Sequence, residues 1–151
     1  MAVYIKKADF FDINFLKNLR SQDYVLKYSK HDRPVGWLQH IRWIIPIILG
    51  LSNKKLYVIK DGGLSIGQMR FDILSLNEQE VSISVLKGLH GKGVAAAAFS
   101  ASLSELRKDK NIKILRAVIN EKNIASIKFF EKLKFELKSK DGSWLNYYFK
   151  I

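Results

Sequence analysis

Between Gly88 and Ala95 the chain reads Gly-Leu-His-Gly-Lys-Gly-Val-Ala, set between an alternating apolar stretch and an alanine-rich one. A loop that ends in a helix N-terminus leaves several backbone N–H groups without intrahelical partners, and those groups favour an anion. Gly91 and Gly93 let backbone come close to a ligand with no β-carbon between. Ala95, Ala96, Ala97 and Ala98 allow the helix to sit tightly on a sheet. The chemistry this predicts is the holding of a pyrophosphate. A Walker loop would need Lys-Ser or Lys-Thr after its last glycine, but Val94 and Ala95 stand there. The dinucleotide fingerprint fits in form, as Gly91-x-Gly93-x-x-Ala96 with Glu121 downstream as a ribose contact. Only residues 97 to 151 follow it, too few for a doubly wound sheet.

The elements that must position this loop are legible in outline. Residues 2–7 predict a strand, and Asp9 a cap for a helix with Phe11, Phe15, Leu16 and Leu19 on one stripe. A second helix is expected from about Pro34 through Trp37, His40, Ile41 and Ile44, with Pro46 bending or ending it. Strands follow at 55–60 and 64–73 around the turn Asp61-Gly62-Gly63, with Gly67 as a candidate bulge. After a polar loop at Asn77 and Glu78, Val81, Ile83 and Val85 alternate with Ser82 and Ser84, predicting a strand over 80–87. A helix over 94–108, a strand over 112–119 and a helix over 123–134 with Ile127, Phe130 and Leu133 on one face come next. Strands 135–138 and 144–149 flank Asp141-Gly142. The order β-α-α-β-β-β-α-β-α-β-β predicts one α/β domain over residues 1–151, a mixed sheet with helices packed on it.

From Glu80 onward the chain resembles the GNAT acetyltransferase superfamily. That family's phosphate loop, Arg/Gln-x-x-Gly-x-Gly/Ala, is matched by His90-Gly91-Lys92-Gly93-Val94-Ala95, with His90 in the first place. The family's Asn-x-x-Ala-x-x-x-Tyr-x-x-x-Gly-Phe segment is matched by residues 120–135. Asn123 falls where a side chain contacts the pantetheine arm, and Ala125 and Ser126 match the helix after it. Phe130 takes the place of a tyrosine that protonates the leaving thiolate, and Lys134 replaces the glycine. The resemblance implies acetyl-CoA as cofactor and a mostly antiparallel sheet that splays between its fourth and fifth strands, with helices on both faces. It also implies that backbone N–H at Val85 or Leu86 polarises the thioester carbonyl.

An amine must be neutral to attack, so a base has to take its proton. Glu80, at the start of the central strand, is the first candidate by the resemblance. His40, whose side chain titrates near neutrality when unperturbed, is the second. Tyr147 or Tyr148 on the last strand would supply an acid. Cysteine is absent, which removes an acyl-cysteine intermediate and leaves direct transfer in a ternary complex. His40-Ile41-Arg42-Trp43, with the meander after it, resembles the branch that acetylates nucleotide-linked amino sugars on the way to pseudaminic or legionaminic acid. Arg42 and Arg70 would then meet the phosphates and Trp37 or Trp43 would stack on sugar or base.

Composition bounds the partners. Lys plus Arg number 26 against 14 Asp plus Glu, a net charge of +12 whose field attracts anions. The lysines are spread along the chain and no nucleic-acid motif is present, so a nucleic-acid module is the lesser reading. Acetylation of a protein N-terminus and coenzyme A binding without catalysis compete with the amino-sugar reading. No export signal is visible, which predicts a cytoplasmic protein. The apolar run from Ile41 to Leu51 is too short to cross a membrane and is a candidate homodimer surface. No metal site is expected.

Overall fold

A computed structural model describes residues 2–151. Strands β1 (Val3–Lys7), β2 (Lys54–Asp61), β3 (Leu64–Ile73), β4 (Glu78–Val85), β5 (Ile114–Asn120), β6 (Glu136–Asp141) and β7 (Trp144–Lys150) form one sheet in the order β1-β2-β3-β4-β5-β7-β6. Every neighbouring pair is antiparallel except β4–β5. That pair is parallel and short: Glu78 meets Ile114, Gln79 meets Leu115, Glu80 meets Arg116, and there the pairing stops. Helices α1 (Ile13–Arg20), α2 (Asp23–Leu26), α3 (Trp37–Ile48), α4 (Val94–Leu106) and α5 (Ile124–Lys132) complete the fold. None of them is long and apolar enough to cross a membrane.

Two cores lie on opposite faces. On β5 the residues Leu115, Ala117 and Ile119 are buried while Arg116, Val118 and Asn120 are only partly so, the period of two that puts neighbours on opposite faces. The first set joins Val85, Phe99, Phe130, Phe135 and Tyr147 in the larger core beneath α4 and α5. On the other face Leu56 and Val58 pack with Leu16, Ile44 and Ile47 of α1 and α3. Those two helices cover only part of their face. Cross-strand partners share a face, so Gln68, Arg70, Ser82, Ser84, Glu80, Arg116 and Tyr148 form a polar floor continuous with that second core.

Several local expectations are corrected. Asp9 caps a short 3-10 turn at Phe10–Asp12 with a reciprocal capping box, and α1 begins only at Ile13. Phe11, placed on the buried stripe, is 96% exposed. The second helix starts at Trp37 after Gly36, not near Pro34. Pro46 does not end it; the helix runs on to Ile48, because a proline in the last turn removes one bond of a ladder that is about to stop anyway. The extra residue opposite β2 is Ile66, since Ile59 pairs with Gly67 and Lys60 with Ser65. The neighbouring Gly67 serves a different end: a β-carbon there would lie 2.5 Å from the Ser84 carbonyl oxygen. β4 begins two residues earlier than expected and ends at Val85, and Lys87 opens a 3-10 turn instead.

Candidate active site

Where β4 and β5 part, one edge of each strand is left without a partner. The Leu86 amide donates to the Ile66 carbonyl at 2.9 Å. Antiparallel ladders alternate, so the N–H and C=O groups of Val85 and Ile83 point the other way, into the gap. Val85 or Leu86 was expected to polarise a carbonyl there; the Leu86 amide is committed to β3, and Val85 keeps the geometry for that task. The Val85 carbonyl oxygen already accepts two bonds, from the Tyr24 hydroxyl at 2.8 Å and from His90 Nε2 at 3.0 Å. Tyr24 and His90 meet edge to face, 5.2 Å between ring centres. His90 thus ties the glycine loop to the end of β4.

That loop runs into α4 with Gly91 at φ +76° and Gly93 at φ +79°. A β-carbon on either would meet nothing within 4 Å, so glycine is needed for the left-handed backbone and not for room. The first helical bond runs from Ala97 N–H to the Gly93 carbonyl at 3.0 Å. Among the described residues the amides of Gly91, Gly93, Val94, Ala95 and Ala96 have no partner. Five free donors at the positive end of a helix fit a pyrophosphate. A groove of about 310 Å³, lined by Val3, Lys92, Gly93, Val94 and Ala97, opens beside them. A hollow of the same volume between Tyr57, Phe71 and Leu106 lies at the other end of α4, away from these amides.

The far rim of the gap is the start of α5. Asn123 caps it, its Oδ1 accepting from the Ser126 amide at 3.2 Å, which leaves the side-chain NH₂ of Asn123 and the Ser126 hydroxyl available. Phe130 does not line the gap. It is 7% exposed and packs on Phe135 at 5.0 Å between ring centres, inside the core. Glu121, which a dinucleotide site would need for a ribose, is paired with Lys140 at 2.6 Å.

The catalytic candidates separate clearly. Glu80 sits at the fork, partly exposed, with Oε1 3.1 Å from the Arg116 guanidinium. Burial works against the charge of Arg116, but the nearby Tyr148 and Glu80 outweigh it and raise its pKa. Tyr148 therefore shares the face of Glu80. Tyr147 lies on the opposite face, buried among core aromatics, its hydroxyl pKa raised by that burial and by Glu131. His40 is fully buried with both ring nitrogens engaged: Arg20 donates to Nδ1 at 3.1 Å, and Nε2–H donates to the Ile13 carbonyl at 3.0 Å. Burial, and then Arg20 and Lys17 nearby, lower its pKa despite the Ile13 bond. It is a neutral pin between α1 and α3 and cannot reach an acceptor as a base. The sequence supplied the imidazole but not its surroundings.

The arginines and tryptophans also divide. Arg42 is exposed on the outer side of α3 and makes no polar contact among the described residues. Trp37 is 52% exposed, with Lys17 Nζ 4.8 Å from its ring centre. Trp43, in contrast, faces the polar floor. The Arg20 guanidinium lies 3.8 Å from its ring centre and that of Arg70 5.8 Å. Arg70 is held by Asp72 at 2.8 Å, and Lys54 shares that carboxylate at 3.1 Å. Arg20 has no carboxylate partner among the described residues; burial and the charge of Arg70 pull its pKa down to about 10. Sequence reasoning did not single out Arg20, Tyr24 or Arg116, which the structure brings against Trp43, Val85 and Glu80. Only Arg116 carried a signal, a lone cation in a strand of apolar residues.

Comparison with known proteins agrees with this geometry. A family model for the acetyltransferase (GNAT) domain matches residues 4–136. No curated protein matches the sequence. Among solved structures, a domain from Methanocaldococcus jannaschii DSM 2661 superposes with a TM-score of 0.87 at 24% identity, covering 99% of each chain. An aminoglycoside acetyltransferase in complex with coenzyme A gives 0.86 at 13% identity, over 99% of this chain and 95% of that one. A spermidine N-acetyltransferase from Vibrio cholerae, in complex with CoA and spermine, gives 0.84 at 14% over 98% and 95%. At these identities the structures establish the fold, and the family match over most of the chain establishes the rest. With a splayed β4–β5 pair and a run of unpartnered amides before α4, this chain belongs to the GNAT acetyltransferase family and is an acetyl-CoA-dependent N-acetyltransferase.

Proposed function

We propose that this chain, as a single catalytic domain over residues 1–151, moves the acetyl group of acetyl-CoA to the amine of a nucleotide-linked amino sugar by direct transfer. The amides of Gly91 and Gly93 to Ala96 hold the pyrophosphate, and Asn123 and Ser126 meet the pantetheine arm. Bound there, the cofactor supplies an acetyl thioester whose carbonyl the Val85 N–H polarises. Glu80 takes the amine proton. Strand rise puts it about 10 Å from Ile83 and about 17 Å from Val85, so the proton travels through water along the side of β4 that carries Ser82 and Ser84. Arg116 holds the carboxylate in place.

The observation that carries the acceptor class is Arg20. A largely buried guanidinium beside a second one, with no carboxylate of its own, is relieved by an anion and aggravated by a cation. Trp43 lies against both, which stand 3.8 Å and 5.8 Å from its ring centre. Polycations such as spermine or aminoglycosides would meet repulsion here. The reading also places the protein in the cytoplasm, and keeps the 41–51 run as a dimer surface, where Ile41, Leu49 and Leu51 are exposed.

The test is thiol release from acetyl-CoA with a panel of acceptors: UDP- and GDP-linked amino sugars, spermidine, kanamycin, and a peptide with a free N-terminus. Turnover is expected with a nucleotide sugar. Arg20→Met should raise its KM by about 10-fold or more, the loss of a hydrogen bond to a charged group, while KM for acetyl-CoA stays the same. Turnover with spermidine or the peptide alone overturns the reading.

A further inference from the structure

We propose that the Tyr24 hydroxyl is the group that receives and protonates the sulfur of coenzyme A as it departs. The proposal rests on the thioester lying against the free edge of β4, with its carbonyl on the Val85 N–H; it does not depend on which amine is acetylated.

Collapse of acetyl transfer leaves a sulfur with a full negative charge, and a donor must stand at that point. The N–H and C=O of one strand residue leave the same edge together. A carbonyl bonded to the Val85 N–H therefore lies beside whatever is bonded to the Val85 C=O. That oxygen holds the Tyr24 hydroxyl at 2.8 Å. The other hydroxyls of the right chemistry are elsewhere. Tyr148 stands at the level of Arg116, five residues and about 17 Å of strand from Val85. Tyr147 is sealed on the opposite face. His90 donates to the same carbonyl oxygen and is the one rival.

The surroundings of Tyr24 suit a donor. Burial raises its pKa, which keeps the proton on the phenol at neutral pH, and the Lys87 amide, which works the other way, would stabilise the oxygen once the proton has left. In the step, the amine nitrogen bonds to the acyl carbon and its proton goes to Glu80 through water. The carbon–sulfur bond breaks with the electron pair on sulfur. Tyr24 turns its O–H from the Val85 carbonyl, which keeps the His90 bond, gives its proton to that sulfur and takes another from bulk water. Full transfer from a phenol to a thiolate is uphill, since their ordinary pKa values differ by roughly 1.5 units and burial of Tyr24 widens that gap, so the hydrogen bond to the sulfur comes first.

Free coenzyme A, the product, tests this without any acceptor. Its bound thiol is titrated by thiolate absorbance, with desulfo-coenzyme A subtracted so that protein tyrosines cancel. The bound thiol should ionise at lower pH than in solution. Tyr24→Phe should raise that pKa by about one unit, a tenfold loss of thiolate stabilisation, with calorimetric affinity for desulfo-coenzyme A unchanged. A role of Tyr24 in packing alone would move the affinity or the melting temperature and leave the thiol pKa where it was; that result overturns the proposal. So does a rise produced by His90→Gln and not by Tyr24→Phe. Should phenylalanine at position 24 prevent folding, 3-fluorotyrosine there keeps ring and hydroxyl but donates more strongly. It must then lower the thiol pKa, and an unchanged value refutes the proposal.

Discussion

Replacing Lys134 with glycine should stabilise this protein. Lys134 follows α5 and is the only non-glycine residue with positive φ among the described residues, at +74°. It ends the helix in a Schellman arrangement: the Lys134 amide donates to Glu131 at 2.9 Å and the Phe135 amide to Phe130 at 3.0 Å. The apolar contact that accompanies this motif is present as the Phe130–Phe135 pair. The side chain of Lys134 is exposed and makes no polar contact among the described residues, so nothing there repays its backbone. A left-handed conformation costs a residue with a β-carbon about 1–2 kcal/mol. Glycine's greater freedom in the unfolded chain takes back about 0.4–1 kcal/mol. The net gain is about 0.5–1 kcal/mol, a rise in Tm of about 1–4 °C for a chain of this size. The proper comparison is Lys134→Ala, which removes the same charge from a total of +12 but keeps the β-carbon. Urea denaturation of the three proteins, with m-values unchanged, isolates the backbone effect. If the glycine variant is no more stable than the alanine variant, the argument from φ is refuted.

The phosphate loop and His40 make two further predictions. Gly93→Ala places a β-carbon where nothing crowds it but where φ is +79°, so the exposed loop should relax and acetyl-CoA affinity should fall about 5- to 30-fold for a backbone cost of 1–2 kcal/mol. Calorimetry that finds both affinity and melting temperature unchanged would remove these amides from the site. The pKa of His40 is lowered in the fold, so below about 6.5 the unfolded chain binds the extra proton and the folded one does not. Its stabilising contribution is complete above that pH and is lost as pH falls from there toward the folded pKa. Unfolding free energies between pH 7.5 and 5.5 should show a slope that His40→Asn flattens; identical slopes would mean that His40 takes up its proton in the folded state.

What the sequence showed was what repeats along the chain. The alternation of Val81, Ile83 and Val85 and the glycine loop after it come from local spacing, and the structure keeps both. The residues that complete the site arrive from elsewhere. Tyr24 lies on a helix of four residues, too short for any periodicity, and is brought to Val85 across 61 positions. Arg20 reads along the chain as a basic residue in the last turn of a helix, an ordinary partner for the helix dipole. Only packing turns it toward Trp43. His40 erred in the other direction, since a titratable ring is conspicuous in sequence and its burial is not. Phe130 looked like an altered catalytic position, yet its neighbour Lys134 explains it: the helix ends by closing Phe130 onto Phe135, and that contact needs a left-handed residue between them.

The fold leaves unpaired strand edges at the β4–β5 gap, and these edges are what the proposed cofactor site would use. Sheets seldom keep unpaired edges in their interior, because each free N–H and C=O seeks a partner. Here three parallel pairs hold the strands together at one end, and past Glu80 and Arg116 no further pairing joins them among the described residues. The two rims are finished differently. Among the described residues Gly91, Gly93 and the first three residues of α4 keep amides without partners, while Asn123 serves the Ser126 amide at the start of α5. The donors left over are therefore gathered on the β4 side, where an anionic group can take them without displacing any bond of the protein. The Val85 carbonyl is the exception, already served by Tyr24 and His90. Both lone pairs of that oxygen are thus taken, and an arm laid along β4 would find the Val85 N–H free and its C=O engaged.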